Sequence, residues 1–262
     1  ACIRRLRLLY DAGWLDKDEP LVKLEHGRGQ TLWYLSKKAR DQLARVRGVP
    51  VKKMPWKRVG AYGHLHIPHR LAINGFRIAV TLAAGRHGFV IRKWLDEVDL
   101  RRTMGKQTLT LLSDPEDPDS KIIERKLIPD SFFWLETDKN WFHFLEIDRA
   151  TETLQYSDPS RDLQFWALKV RKYGQHFKHW YGQTYPEAEG RGRILVVTTS
   201  ETRLANMAGV CREVAKQAAG RYWLTTFDKI KPDPTDYFSE TVLTGEIWQR
   251  ADRPEKLRTL VW

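Results

Sequence analysis

Cysteine and long apolar runs are the scarce features of this sequence. Its two cysteines, Cys2 and Cys211, stand far apart and match no zinc-ligand spacing, which argues against a disulfide framework or a zinc module. No apolar run approaches the roughly 18 residues that a membrane span needs, and no secretory signal peptide is visible. We therefore expect a reduced, cytoplasmic location and no membrane partner.

Basic residues, by contrast, are plentiful. The chain of 262 residues carries a formal net charge of +12, and 42% of its residues are hydrophobic. That hydrophobic share argues against disorder, and the length suits a small domain followed by a larger one. A strongly basic folded protein favours a nucleic-acid partner, although solvated surface charge gives the same composition.

The first 47 residues have the pattern of a partial winged helix-turn-helix. The expected order is a basic helix, two strands and a second helix, which is the second half of that fold. Such a fold puts its recognition helix in the major groove of DNA and its wing against phosphates. The elements are expected at residues 2–12, 21–25, 31–35 and 37–46, with Ser36 as the cap of the last helix. The expected DNA contacts are Arg4, Arg5, Arg7, Arg28, Lys37 and Lys38.

This N-terminal interpretation has one alternative, a helical hairpin that only supports the rest of the fold. The chain begins at Ala1, inside the pattern, so we expect the full-length protein to continue before it. Many winged-helix proteins dimerise, and a homodimer is therefore considered by analogy.

Residues 48–67 are rich in Pro, Gly and Lys and show no sustained period, which is typical of a linker. Residues 68–262 then alternate between helical and strand patterns, with a less regular stretch around Trp94. This alternation predicts an α/β domain of the α+β type, built on a mixed sheet. Its helices are expected at residues 70–84, 162–180 and 202–219, and its strands at 193–199 and 222–227.

Residues 128–148 hold two apolar runs joined by a polar turn, a pattern that predicts a β-hairpin with its acids at the open end. A two-residue turn would place Asp130 opposite Ile147. A turn of three or five residues, or one bulge, would instead place Asp130 opposite Glu146, with Cβ atoms about 4.5–5.5 Å apart. We predict the second register, in which Asp148 lies on the same face as Glu146.

These acids stand next to aromatic residues, and burying them costs free energy unless a partner compensates the charge. A divalent cation is one such partner. An ion-pair network is the alternative, in which Glu146 and Asp148 bond to basic side chains. The candidates for that role are Arg149, Lys169 and Lys172.

The Pro129-Asp130 step and the Glu-x-Asp sequence of the second hairpin strand resemble the PD-(D/E)XK nuclease superfamily. This resemblance implies that Asp130 and Glu146 hold Mg²⁺ or Mn²⁺, together with the backbone carbonyl of Ile147. The superfamily's lysine position is occupied here by Asp148. Some members carry that lysine on the following helix, which offers two candidates here, Lys169 first and Lys172 second.

More narrowly, the chain looks like the replication-relaxation family of plasmid and mobile-element proteins. The likeness is carried by the N-terminal pattern, the segment 144–152 and the pair of Lys169 and Tyr173. It covers nearly the whole chain and implies a role in replication or mobilisation. The implied partners are double-stranded DNA and replication or mobilisation proteins.

Two main classes of function follow from these interpretations. In the first, a Mg²⁺-dependent nuclease or nickase hydrolyses a phosphodiester, using Asp130, Glu146, Asp148 and a lysine as catalytic residues. In the second, a sequence-specific DNA-binding factor retains a degenerate nuclease fold only to grip DNA or a partner. A lysine ammonium beside the acids favours the first class, and an arginine filling the site favours the second. An RNA-binding accessory protein is a third class.

Overall fold

The structure, a computed structural model, describes residues 2–18, 31–54, 66–112, 119, 121–149, 159–230 and 241–261. The chain divides into two compact units, Ala1–Leu71 and Ala72–Trp262. The boundaries expected at residues 47 and 67 stay a prediction, because much of the expected linker, residues 55–65, lies outside the described residues.

In chain order the described helices are α1 (Cys2–Asp11), α2 (Lys37–Val46), α3 (His66–Arg86), α4 (Glu97–Thr103), α5 (Pro159–His179), α6 (Tyr181–Thr184), α7 (Glu201–Ala215), α8 (Phe227–Ile230) and α9 (Thr241–Thr244). The described strands are β1 (Leu15–Asp18), β2 (Leu32–Leu35), β3 (Val90–Asp96), β4 (Leu109–Leu112), β5 (Ile122–Arg125), β6 (Ser131–Glu136), β7 (Asn140–Ile147), β8 (Arg193–Thr198), β9 (Tyr222–Thr226), β10 (Trp248–Arg250) and β11 (Arg253–Arg258). None of these helices is both long enough and apolar enough to cross a bilayer.

The described residues of the N-terminal unit hold a helix, two strands and a second helix in that order. Strands β1 and β2 pair antiparallel, with Leu15 opposite Leu35. Ser36 caps α2 as predicted, because its side chain accepts the amide N–H of Ala39 at 3.1 Å. Strand β1 was not predicted, and the strand predicted at residues 21–25 lies outside the described residues.

Two hydrogen bonds tie the end of α1 to the start of α2. The Ser36 hydroxyl donates to the carbonyl of Gly13 at 2.7 Å, and the Lys38 ammonium donates to the carbonyl of Ala12 at 2.9 Å. None of the described residues of α1 is buried. The predicted DNA contacts Arg4, Arg5, Arg7, Lys37 and Lys38 are exposed, and Arg28 lies outside the described residues.

A seven-stranded sheet forms the centre of the second unit, in the order β11-β10-β9-β8-β7-β6-β3. Strands β7, β8 and β9 are parallel, and the other neighbouring pairs are antiparallel. Alternate residues of β7 face opposite helical layers: Phe144 packs in the core with α5 and α7, and Leu145 in the core with α3. This mixed sheet between helices confirms the predicted α+β class, and α5 covers the face that carries Glu146.

The edge strand β3 is an element that the sequence pattern missed. It pairs antiparallel with β6, and its register shifts between Ile91 and Lys93. A bulged edge strand that carries basic residues lacks a regular alternation of apolar and polar residues, which explains the irregular pattern around Trp94. Asp96 ends the strand and caps α4 by accepting the amide N–H of Val98 at 2.8 Å.

Candidate functional site

The hairpin of β6 and β7 brings Asp130 beside Glu146. Its strands are joined by the three residues 137–139, and Ser131 lies opposite Leu145. This is the register that a three-residue turn predicts, so the predicted pairing is confirmed. Both acids therefore lie at the open end of the hairpin.

Glu146 is 3% exposed and lies against α5. The Tyr173 hydroxyl donates to Glu146 Oε1 at 2.5 Å, and the Lys169 ammonium donates to Glu146 Oε2. Asp130 is held by the backbone, because its Oδ2 accepts the amide N–H of Ile147 at 2.7 Å. Lys169, the first candidate for the displaced lysine, is thus placed at the pair of carboxylates.

The pKa of Glu146 differs from that of an ordinary carboxyl group. Burial raises this pKa to about 7, and the negative charge of Asp130 acts in the same direction. The positive charge of Lys169, with the hydrogen bonds from Lys169 and Tyr173, opposes the shift. A further cation next to Glu146 would therefore stabilise its charged form.

Lys172, the second lysine candidate, lies almost one turn after Lys169 on α5. Burial lowers the pKa of Lys172, and the positive charges of Lys169 and Arg125 lower it further, whereas Glu146 raises it. Arg125 is the last residue of β5, which pairs antiparallel with β4, so this two-stranded sheet adds a positive charge near Lys172. Such a concentration of basic side chains suits a phosphate group.

Asp148, which the resemblance to the nuclease superfamily places at the lysine position, is bonded to another helix. Arg203 in the first turn of α7 donates to both of its oxygens, from Nε to Oδ2 at 2.5 Å and from Nη2 to Oδ1 at 2.8 Å. The Thr198 hydroxyl also donates to Oδ2, at 2.5 Å. A two-point contact with a guanidinium group is a strong way of holding a carboxylate. Asp148 therefore links the end of β7 to β8 and α7.

Two of these contacts were absent from the sequence prediction. Tyr173 follows Lys169 by four residues, which places both on one face of a helix, so a signal for its contact with Glu146 existed. Arg203 had no local signal. Its approach to Asp148 depends on the parallel pairing of β7 with β8, which brings residues about 50 positions apart together.

The pair of Asp130 and Glu146 fits Mg²⁺ or Mn²⁺ by its donor atoms, because both ions favour carboxylate oxygen. Within the described ranges, no group of three or more His, Cys, Asp or Glu side chains is arranged to hold a metal ion. Mg²⁺, however, keeps several waters and is usually held by one or two carboxylates. The raised pKa of Glu146, buried beside a second acid, is the feature that such a cation would relieve.

The sequence profile of the replication-relaxation family matches residues 1–187 of the 262 residues in the chain. The chain belongs to the replication-relaxation family. The part that matches this family includes α1, the β6–β7 hairpin and α5, and so includes Asp130, Glu146 and Lys169. No curated protein and no solved structure matches the chain significantly. Membership of the replication-relaxation family indicates a role in the replication or relaxation of plasmid or mobile-element DNA.

Proposed function

We propose that this protein binds double-stranded DNA of a plasmid or mobile element and nicks or cleaves it with Mg²⁺ or Mn²⁺. The observation that carries the proposal is the hydrogen bond from Lys169 to Glu146, whose neighbour is Asp130. Asp148 occupies the position of the superfamily's lysine, and Lys169 of α5 supplies an ammonium group instead. The order of α3, antiparallel strands, α5 and the parallel strand β8 also supports a nuclease-like domain.

In this proposal Asp130 and Glu146 would hold the metal ion, together with the backbone carbonyl of Ile147. The bound ion would lower the pKa of a coordinated water and offset negative charge on the phosphate. Tyr173 keeps Glu146 in place through its hydroxyl. Lys169 orients the attacking water or stabilises the negative charge that develops as the water oxygen bonds to phosphorus and a P–O bond of the strand breaks.

The exposed basic residues of the N-terminal unit are proposed to contact DNA. Helix α1 is the recognition helix of this proposal, and its charged side chains are available because none of its described residues is buried. Lys38 contributes less than Lys37, because its ammonium already donates to Ala12. The proposed contacts in this unit are Arg4, Arg5, Arg7, Lys37 and Lys38, with Arg28 of the predicted wing as a further candidate.

A second candidate function is DNA binding without catalysis. It is favoured by the fact that both oxygens of Glu146 already accept hydrogen bonds within the protein. Asp148 likewise gives both of its oxygens to Arg203. In this case the acids form an ion-pair network that holds α5 and α7 on the sheet. The second unit then only binds DNA or a partner protein.

Incubation of supercoiled plasmid with Mg²⁺ or Mn²⁺ separates the two functions. The variants are Asp130→Asn and Glu146→Gln, which keep the shape of each side chain and remove its charge. Lys139→Gln is the matched control, because Lys139 is exposed in the turn of the same hairpin. We expect each carboxylate variant to nick plasmid at least about 100-fold more slowly than the wild type, and the control to match it.

A gel-shift measurement with duplex DNA accompanies the plasmid assay, because it reports binding alone. Under the nuclease proposal, the two carboxylate variants still shift the DNA while nicking fails. If the wild type shifts DNA but nicks no plasmid with either metal, the binding-only function is correct. Nicking that survives in both carboxylate variants would rule out the assigned site.

A further inference from the structure

Phe165 is a large apolar side chain of α5 that lies open to solvent. It is 52% exposed, whereas the next residue, Trp166, is 7% exposed and packs in the core. Single exposed apolar residues are common on protein surfaces, so this exposure has no functional meaning by itself. Lys169, however, follows Phe165 by four residues, which places the ring on the helix face that carries the ammonium group at Glu146.

The direction of α5 shows on which side of the carboxylate site Phe165 lies. Tyr173 bonds to Glu146, which is next to the last residue of β7. Phe177, one turn later on the helix, packs on Phe144, which comes earlier in the strand, with the ring centroids 6.0 Å apart. Helix and strand are therefore antiparallel, and Phe165, near the start of the helix, lies beyond Glu146 towards the carboxyl end of β7. Ligands commonly bind at this end of parallel strands, and β7 pairs in parallel with β8.

The same face of α5 carries positive charge. The side chain of Lys169 is 32% exposed, and its Cα atom is about 6 Å from that of Phe165 along the helix axis. Lys172 follows within the next turn, and the positive charges of Lys169 and Arg125 both act on it. A ligand that suits this face combines negative charge with a flat apolar ring, and a nucleotide of a DNA strand has both.

We propose that Phe165 stacks on an unpaired nucleobase beside the phosphate that is bound at the carboxylate site. The substrate class that follows is duplex DNA with a locally melted or mismatched segment, because neighbouring bases cover the faces of a base inside the duplex. Lys169 and Lys172 provide positive charge for the adjoining phosphates. This inference rests on the proposed function, since the carboxylate site is what brings a DNA strand to Phe165.

Fluorescence anisotropy on the full chain tests the stacking with two short duplexes that share one strand. One duplex is fully paired, and the other has a few mismatched base pairs at its centre. EDTA is present, so that no metal-dependent cleavage occurs. We expect the wild type to bind the mismatched duplex at least about fivefold more tightly, which is the lower end of what stacking on one base contributes. Phe165→Trp keeps a flat ring and should retain this preference, whereas Phe165→Leu keeps an apolar side chain without a ring and should lose it.

Leu257→Ala is the matched control, because Leu257 is an exposed apolar residue on β11, several strands away from β7. It should leave the preference unchanged, and all these variants should fold because the replaced side chains are exposed. Equal affinity of the wild type for the two duplexes would overturn the proposal, as would a preference that survives in Phe165→Leu. Plasmid nicking is measured separately. A preference that depends on Phe165 in a protein that nicks no plasmid would support the stacking and refute the hydrolysis.

Discussion

The ammonium of Lys169 on α5 donates a hydrogen bond to the buried carboxylate of Glu146 on β7. The side chain of Lys169 is 32% exposed, whereas that of Glu146 is 4% exposed. The contact thus brings a solvent-accessible positive charge to a carboxylate that is shielded from water. It places an ammonium group at the Asp130–Glu146 pair, where the nuclease proposal requires one.

Removing this ammonium should destabilise the fold. Lys169→Met retains much of the side-chain length but leaves Glu146 buried beside Asp130 without that positive charge. We expect the free energy of unfolding in urea, measured at pH 8 with EDTA, to fall by roughly 3 kcal/mol. Lys178→Met on the same helix should change it by less than about 0.5 kcal/mol. Equal effects of the two substitutions would show that the contact contributes little.

Asp148 should matter for stability rather than for chemistry. Asp148→Asn keeps the side-chain shape but removes the charge that Arg203 and Thr198 contact, so the free energy of unfolding should fall by about 2 kcal/mol. Metal-dependent nicking by the folded variant should stay within about threefold of the wild type, a change of less than 1 kcal/mol in the barrier. A stable variant that no longer nicks plasmid would return Asp148 to the catalytic residues.

His176 should make the protein less stable in acid. Burial lowers its pKa from 6.5 to about 4, so between these values the unfolded chain takes up a proton that the folded chain does not. Stability from this group is therefore fully present above pH 6.5 and is lost as the pH falls towards 4. Between pH 7 and pH 4.5 the wild type should lose about 2 kcal/mol more than His176→Gln in urea unfolding. Parallel pH profiles for the two proteins would refute this.

The arginines of α1 should govern DNA affinity and its dependence on salt. Replacing Arg4, Arg5 and Arg7 together by Ala should weaken duplex binding. It should also make the slope of log binding constant against log salt concentration shallower, by about 0.9 for each phosphate that these side chains neutralise in the wild type. The charge-matched control replaces three exposed basic residues of the second unit, Lys139, Arg253 and Lys256. Fluorescence anisotropy over a range of salt concentrations measures the affinity and its salt dependence for both triple variants. If the two triple variants have the same slope, α1 is not the DNA-binding helix.

Some parts of the candidate site could be predicted from the sequence, because local patterns limit how the hairpin strands pair. Turn length and strand alternation left two registers open for β6 and β7, and the predicted one, which sets Asp130 across from Glu146, is the one observed. The placement of Lys169 followed from a family resemblance, and α5 then had to present that side chain to the sheet. The first prediction depended on residues close together in the sequence, and the second on the arrangement of residues known in the resembling family.

The sequence could not predict contacts that depend on distant packing. Arg203 reaches Asp148 only because β8 lies beside β7 and α7 follows it. Strand β3 escaped prediction for a different reason: it is a bulged edge strand whose Arg92 and Lys93 interrupt its apolar pattern.

The central claim is that Lys169 acts as the catalytic lysine of the nuclease superfamily, whose usual position is occupied here by Asp148. Single-turnover nicking of supercoiled plasmid in Mg²⁺ tests this claim most directly. Lys169→Met should slow nicking at least about 100-fold, whereas Lys172→Met should slow it less than about tenfold by weakening phosphate binding. Both variants should retain duplex binding in a gel shift. Nicking by Lys169→Met at the wild-type rate would contradict the claim.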